Sequence, residues 1–384
     1  MKGWKAVVTA LGLAGMLGGS VPLAALAASP EFARTAEEWE RLKDNKLEYG
    51  EIADLVHEYN VTVQNNQYEY NEFIKDYGKT RDDVANAYRD LADDLEAEMT
   101  GEDGMGLVGD FQLEQQAKRM REQADDNLED SQIYYWNYSQ AEDNLVLSAQ
   151  SKFLSYYKSG LELQAAESKK KLLDSSYALA QMKRQAGTAT DAEVLEASEA
   201  VLEQEKTIAE LEQQRENTRK SLIVMCGWKE SNDPEIGELP QIELSDMDSI
   251  DLETDKQTAL EKNYTLMINK KKLENAQAAD TKEKLQKNIA SNERQIALSV
   301  TNAWQNLQTA KRSWQQAAAN QETAARNDSL AQQKWNAGMI TQYEYERQKN
   351  ELNSAKISFD TAYLELIEAY ETYCWNVNGL AGAE

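Results

Sequence analysis

Few side chains in this 384-residue sequence could act as nucleophile, general base or transition-metal ligand: His57 is the only histidine, and Cys226 and Cys374 are the only cysteines. Neither cysteine has an adjacent base to draw off its proton, and a structural zinc site needs about four nitrogen or sulfur ligands, so both chemistries lack material. No Gly-x-x-x-x-Gly-Lys-Ser/Thr loop and no strand-turn-helix dinucleotide fingerprint is present. Carboxylates are abundant, 67 Asp and Glu against 41 Lys and Arg, but on helices with heptad patterning they form solvated faces. Asp246, Asp248 and Asp251 lack the spacing of a calcium loop. The expectation is no enzyme, no catalytic residue, no metal and no cofactor.

The chemistry that remains is electrostatic. Lys2 and Lys5 precede an apolar run from Ala6 to Leu17 and the small-residue end Ala25-Leu26-Ala27, the pattern of a secretory signal peptide (1–27) cleaved before Ala28. Two lysines leave with it, and the formal charge of -26 becomes about -28, which disfavours nucleic acid and anionic lipid and favours cations and basic surfaces. In an exported chain Cys226 and Cys374, near the ends of two similar helices, could form a disulfide or stay two separate buried thiols.

The elements are long helices. Tyr345, Leu352, Phe359, Leu366 and Tyr373 recur every seven residues, with Ala355, Ala362 and Ala369 between them, which is a coiled-coil seam with small residues that let a neighbour approach. Shifted back by 151, Gly338, Thr341 and Glu344 fall on Gly187, Thr190 and Glu193, and the seam falls on Val194, Val201, Ile208 and Leu222, broken at Arg215. A second echo, His57–Asn65 with Glu261–Asn269, is shifted by 204 and places asparagine-bearing bends at Asn65 and Asn269. The chain thus divides into a first repeat (28–227), a linker (228–254) that carries Pro234 and Pro240, and a second repeat (255–384). The first repeat holds some 53 extra residues, a helical insertion at about 75–130 with a glycine-rich tip over 101–109. From Asp110 to Gln185 nothing interrupts the helical pattern, which predicts one helix of roughly 110 Å. The narrow stripe Ile296, Val300, Ala303, Leu307, Ala310, Trp314 and Ala317 suits helices packed side by side. The aromatic run Tyr134-Tyr135-Trp136-Asn137-Tyr138 reads either as packing against the insertion or as an interfacial belt.

The two turns, Ala186-Gly187-Thr188-Ala189-Thr190-Asp191-Ala192-Glu193 and Ala337-Gly338-Met339-Ile340-Thr341-Gln342-Tyr343-Glu344, each followed by a long helix ending near glycine (Gly227, Gly379), resemble those of TolC-type outer membrane efflux proteins. The resemblance implies an all-α fold of long antiparallel coiled-coil helices in two duplicated halves, three chains forming an α-helical tube. It implies that Gly187, Thr188, Thr190, Gly338, Met339 and Thr341 are tips that dock a periplasmic-adaptor-type (membrane fusion) protein, which joins the tube to an inner membrane pump of ABC type. It makes Glu193 and Glu344 residues of the tube entrance, where Arg347 stands in place of a further acid. The β-hairpins typical of the family are missing from the sequence, so no β-barrel is expected, as in members from bacteria without an ordinary outer membrane. The implied role is the tunnel of an efflux or type I secretion system in the cell envelope, associated with outer membrane or cell wall. The alternative from composition alone is an exported coiled-coil scaffold or adhesin without a transport role.

Overall fold

A computed structural model describes residues 34–99, 101 and 105–383. The signal-peptide reading and the middle of the glycine-rich tip lie outside the described residues. The chain is a succession of helices, and side-chain caps set many of their boundaries. After α1 (Ala36–Lys43), capped by a Thr35–Glu38 box, come α2 (Ile52–Tyr59) and α3 (Val61–Tyr77), separated by one residue. That residue is Asn60, whose side chain accepts hydrogen bonds from Thr62 N and Val63 N. Helices α4 (Arg81–Ala97) and α5 (Met105–Asp125) form an antiparallel hairpin closed around Ala92, Ala117 and Met120. Gly106 and Gly109, expected in its tip, lie within α5.

The long helix expected from Asp110 to Gln185 is two helices. α5 ends at Asp125 and α6 (Ser131–Gln185) starts after a five-residue break. Polar side chains hold the break open: Asn127 accepts from Glu129 N, Asp130 accepts from Gln132 N and Ile133 N, and the Arg81 guanidinium donates to the carbonyls of Asp125 and Asn127. Such side-chain bonds offer the backbone an alternative to the helix ladder. α6 has 55 residues, roughly 80 Å. α7 (Asp191–Met225) returns along it.

A connection containing α8 (Leu244–Asp248) leads to α9 (Leu252–Lys262), α10 (Tyr264–Asn275), α11 (Ala279–Asn336) and α12 (Gln342–Trp375). The connection is less solvated than its composition suggests. Met247 is buried, and Ile236, Leu239 and Ile242 pack on the core. It also supplies strand β2 (Glu235–Ile236), which pairs in parallel with β1 (Lys46–Leu47). These four residues are the only strands among the described residues.

Asn263 separates α9 from α10 as Asn60 separates α2 from α3, accepting from Leu266 N. The bends therefore lie at Asn60 and Asn263, not at Asn65 and Asn269, which are inside α3 and α10. The two bends stand 203 residues apart, one less than the shift of the sequence echo. Each bend is stapled to the end of a later long helix: Asn60 Nδ2 donates to Met225 O at 2.8 Å, and Asn263 Nδ2 donates to Gly379 O at 3.1 Å and Ala381 O at 2.8 Å. Gly227 and Gly379 sit against these bends with no room for a side chain; a Cβ would stand 2.2 Å from Tyr59 Cβ or 2.9 Å from Lys262 O.

Two cores form at this end. One gathers Ile52, Leu55, Val56, Phe153, Leu222 and Ile223, the other Leu266, Ile296, Val300, Leu307, Leu366 and Tyr373. The seam of α12 is buried there, at Tyr373 and Leu366, and becomes partly exposed through Phe359, Leu352 and Tyr345. α12 also packs against α6, which sets the lateral order α7, α6, α12, α11. Arg215, the break in the first seam, lies 4.5 Å over the Tyr156 ring, donates to its hydroxyl and packs beside Gly160.

Candidate functional site

The contacts between α6 and α12 run in antiparallel register: Lys158 pairs with Glu365, Ser168 with Asn353, and Ser175 donates to Glu346 at 2.6 Å. Extrapolated two to three turns, this register puts the α6–α7 turn beside the α11–α12 turn. The two Gly-x-x-Thr turns therefore stand next to each other at one end of a four-helix layer, far from the buried cores.

Both turns have one geometry. Each incoming helix ends in a glycine with left-handed backbone, φ 73° at Gly187 and 70° at Gly338. The following amide, Thr188 N or Met339 N, reaches back 2.8 Å to the carbonyl of Lys183 or Lys334, and the glycine amide bonds Arg184 O or Trp335 O at 2.9 Å. This is the Schellman closure, and it requires the conformation glycine takes without penalty. Thr190 and Thr341 then cap the outgoing helices. Their hydroxyls accept from Glu193 N and Glu344 N, and those carboxylates bond back to the threonine amides at 2.6 and 2.8 Å. The spacing Gly-x-x-Thr-x-x-Glu is thus a complete helix stop and start.

This gives Glu193 and Glu344 a structural task alongside their expected place at an entrance. Hydrogen bonds from the threonine backbone and hydroxyl hold both carboxyls below their ordinary range, and both residues are exposed. Arg347, one turn on, is exposed and lies 4.0 Å from Glu351. Around Gly187 and Gly338 there is open space, with no atom within 4 Å of where a Cβ would be.

The turns differ in chemistry, which repeat matching did not reveal. At the first, Arg184 pairs with Asp191. At the second, Trp335 stacks on Tyr345, 5.0 Å between centroids and 5° between planes, and Met339 is 76% exposed. Aromatic residues ten apart in sequence but facing across a hairpin could have been found by folding the sequence about Ile340.

Elsewhere, the aromatic run meets α3, with Tyr135 still 54% exposed: Tyr134 stacks on Phe73 at 3.9 Å, Tyr135 and Tyr138 meet Tyr70, and Tyr77 bridges to Tyr88 of the α4–α5 hairpin. Cys226 and Cys374 are separate thiols, pushed up by burial to about 12 and about 11. No group of three His, Cys, Asp or Glu side chains among the described residues is placed to hold a metal ion, and no helix there is long and apolar enough to cross a membrane.

Solved structures share this arrangement. A membrane protein from Pseudomonas aeruginosa superposes with a TM-score of 0.56 at 12% identity, covering 86% of this chain and 90% of that one. The CmeC outer membrane channel of Campylobacter jejuni gives 0.51 at 11% identity, covering 93% and 94%. The fold is that of the outer-membrane channels. The outer membrane protein VceC of Vibrio cholerae, at 7% identity, gives 0.53 over 88% of this chain and 97% of its own. No family model matches the sequence, and no curated protein does. The likeness is one of fold, at sequence identities of 7 to 12% in these three structures.

Proposed function

We propose that the chain is the tunnel of an export system, three copies closing into an α-helical tube through which cargo leaves a pump. The observation that supports this best is the pairing of two turns of identical backbone geometry side by side at one end of a four-helix layer. Two turns per chain give six around a trimer. The layer also has two free edges: α7 packs mainly on α6 and leaves Leu195 and Leu202 60% and 61% exposed, and α11 exposes Leu298 and Leu330 at 59% and 55%. Apolar side chains repeated along both edges suit contact with a neighbouring copy, α7 against α11, and that head-to-tail contact closes into a ring.

On this reading Gly187, Thr188, Thr190, Gly338, Met339 and Thr341 receive the tip of an adaptor protein that leads to an ABC-type pump, and Glu193, Glu344 and Arg347 lie at the entrance. The protein works in the cell envelope after export. Light scattering of the mature chain tests the assembly: the expected mass is that of three chains. A well-folded monomer at micromolar concentration would instead favour an exported coiled-coil scaffold.

A further inference from the structure

Between α6 and α12, near the core end, lies a cleft of about 440 Å³, within the size range of small-molecule sites. Its floor is Tyr49, 9% exposed and held edge-on against Phe153 at 5.3 Å. The Tyr49 hydroxyl is fully buried and closes no hydrogen bond of normal geometry within the protein. It leans on the Glu371 carboxyl in an off-geometry side-chain contact, with its acceptor side open, and Cys374 stands near both. Glu371 lines the cleft beside it, half-buried, and among the described residues no Lys, Arg or His forms an ion pair with it. Ser148, Ser151 and Thr372 add hydroxyls to the wall.

A buried polar atom whose hydrogen bonding is incomplete costs stability, and a desolvated carboxylate without a counter-charge costs more. Burial pushes the Glu371 carboxyl above its ordinary range, with the Tyr49 hydroxyl pulling the other way. Both costs disappear if a cation with N–H donors enters, because the carboxylate gains its counter-charge and the hydroxyls act as acceptors. Lys152 stands on the rim, exposed, and makes no ion pair among the described residues. It sets a positive charge at the mouth, so an entering cation must displace it outward.

We propose that the α6–α12 cleft over Tyr49 binds a small primary ammonium group, with Glu371 as its counter-charge and the Tyr49 hydroxyl and the cleft hydroxyls as acceptors. The site uses the packing of one chain and stands whether or not three chains form a tube. Calorimetric titration of the mature protein with putrescine, at fixed ionic strength, tests it. One saturable site per chain is expected, weakened at least tenfold by Glu371→Gln, several-fold by Tyr49→Phe, and not at all by Glu212→Gln, an exposed acid on α7. Tetramethylammonium, with the charge but no N–H, should bind at least tenfold more weakly than putrescine. Absence of saturable binding, equal weakening by Glu371→Gln and Glu212→Gln, or equal affinity for tetramethylammonium would overturn the proposal. If Glu371→Gln fails to fold, the exposed Lys152→Ala decides: tighter putrescine binding supports the site, and unchanged or weaker binding refutes it.

Discussion

A buried asparagine amide carries both an acceptor and two donors, and Asn263 uses both sides. Its oxygen caps α10 while its nitrogen ties down the carbonyls of Gly379 and Ala381. Removing it loses a cap and leaves buried carbonyls unpaired, so Asn263→Ala should cost about 2–4 kcal/mol. Asn60→Ala, with one carbonyl partner, falls at the lower end of that range. Asn65→Ala, on the exposed face of α3, should stay within about 0.5 kcal/mol. Urea midpoints of the three variants measure this, and equal losses at Asn60 and Asn65 would contradict the bend assignment. The right asparagines were legible: Asn60-x-x-Val63 and Asn263-x-x-Leu266 each place a cap three residues before an apolar side chain that the fold buries. Matching identical residues at a shift of 204 hid them, because a cap is defined by where the preceding helix stops.

At the scale of elements, the glycines separate into two kinds. Those of the turns stand in open space, and those of the bends stand against backbone. Gly187→Val or Gly338→Val meets no neighbour, so its cost is the left-handed backbone alone, about 1–2 kcal/mol. Gly227→Val would drive atoms into Tyr59 as well and should destabilise by more than about 3 kcal/mol. Thermal melts followed by circular dichroism separate the two classes. If the turns also dock an adaptor, the Gly187→Val/Gly338→Val double variant keeps its helicity and loses adaptor binding in a pull-down; normal binding would sink the docking assignment. The heptads made the long helices and the shared turn readable, since a seam that never slips needs no tertiary information. The break at 126–130 was not readable from apolar spacing, because Leu113, Ala117, Met120, Ala124 and Leu128 continue the helical face across it. What ends α5 is a set of side-chain-to-backbone bonds from Asn127, Asp130 and the distant Arg81.

Over the whole molecule, ionisable groups pull stability in two directions with pH. The capping acids Glu38, Asp83, Glu193, Glu344 and Asp251 are all held below their ordinary values by bonds from threonine. Their contribution is present above about pH 4.5 and is lost as pH falls through their lowered folded values. Glu51, Asp143, Asp360 and Glu371 are raised, chiefly by burial, so ionising them penalises the folded state as pH rises above about 4. His57 is raised by its 2.5 Å contact with Glu142. Its contribution is complete below about pH 6.5 and fades as pH rises through its folded value. Self-repulsion at a formal charge of -26 acts in the same direction as pH increases. These effects place the stability maximum between about pH 5 and 6, below the neutral range. Urea midpoints at pH 4, 5.5 and 8, at one protein concentration because assembly adds to stability, should peak at 5.5. His57→Gln should remove part of the fall between 5.5 and 8 and leave the fall toward pH 4 unchanged. A midpoint that climbs steadily to pH 8 would mean that the buried carboxyls and His57 do not govern the folded state as their surroundings indicate.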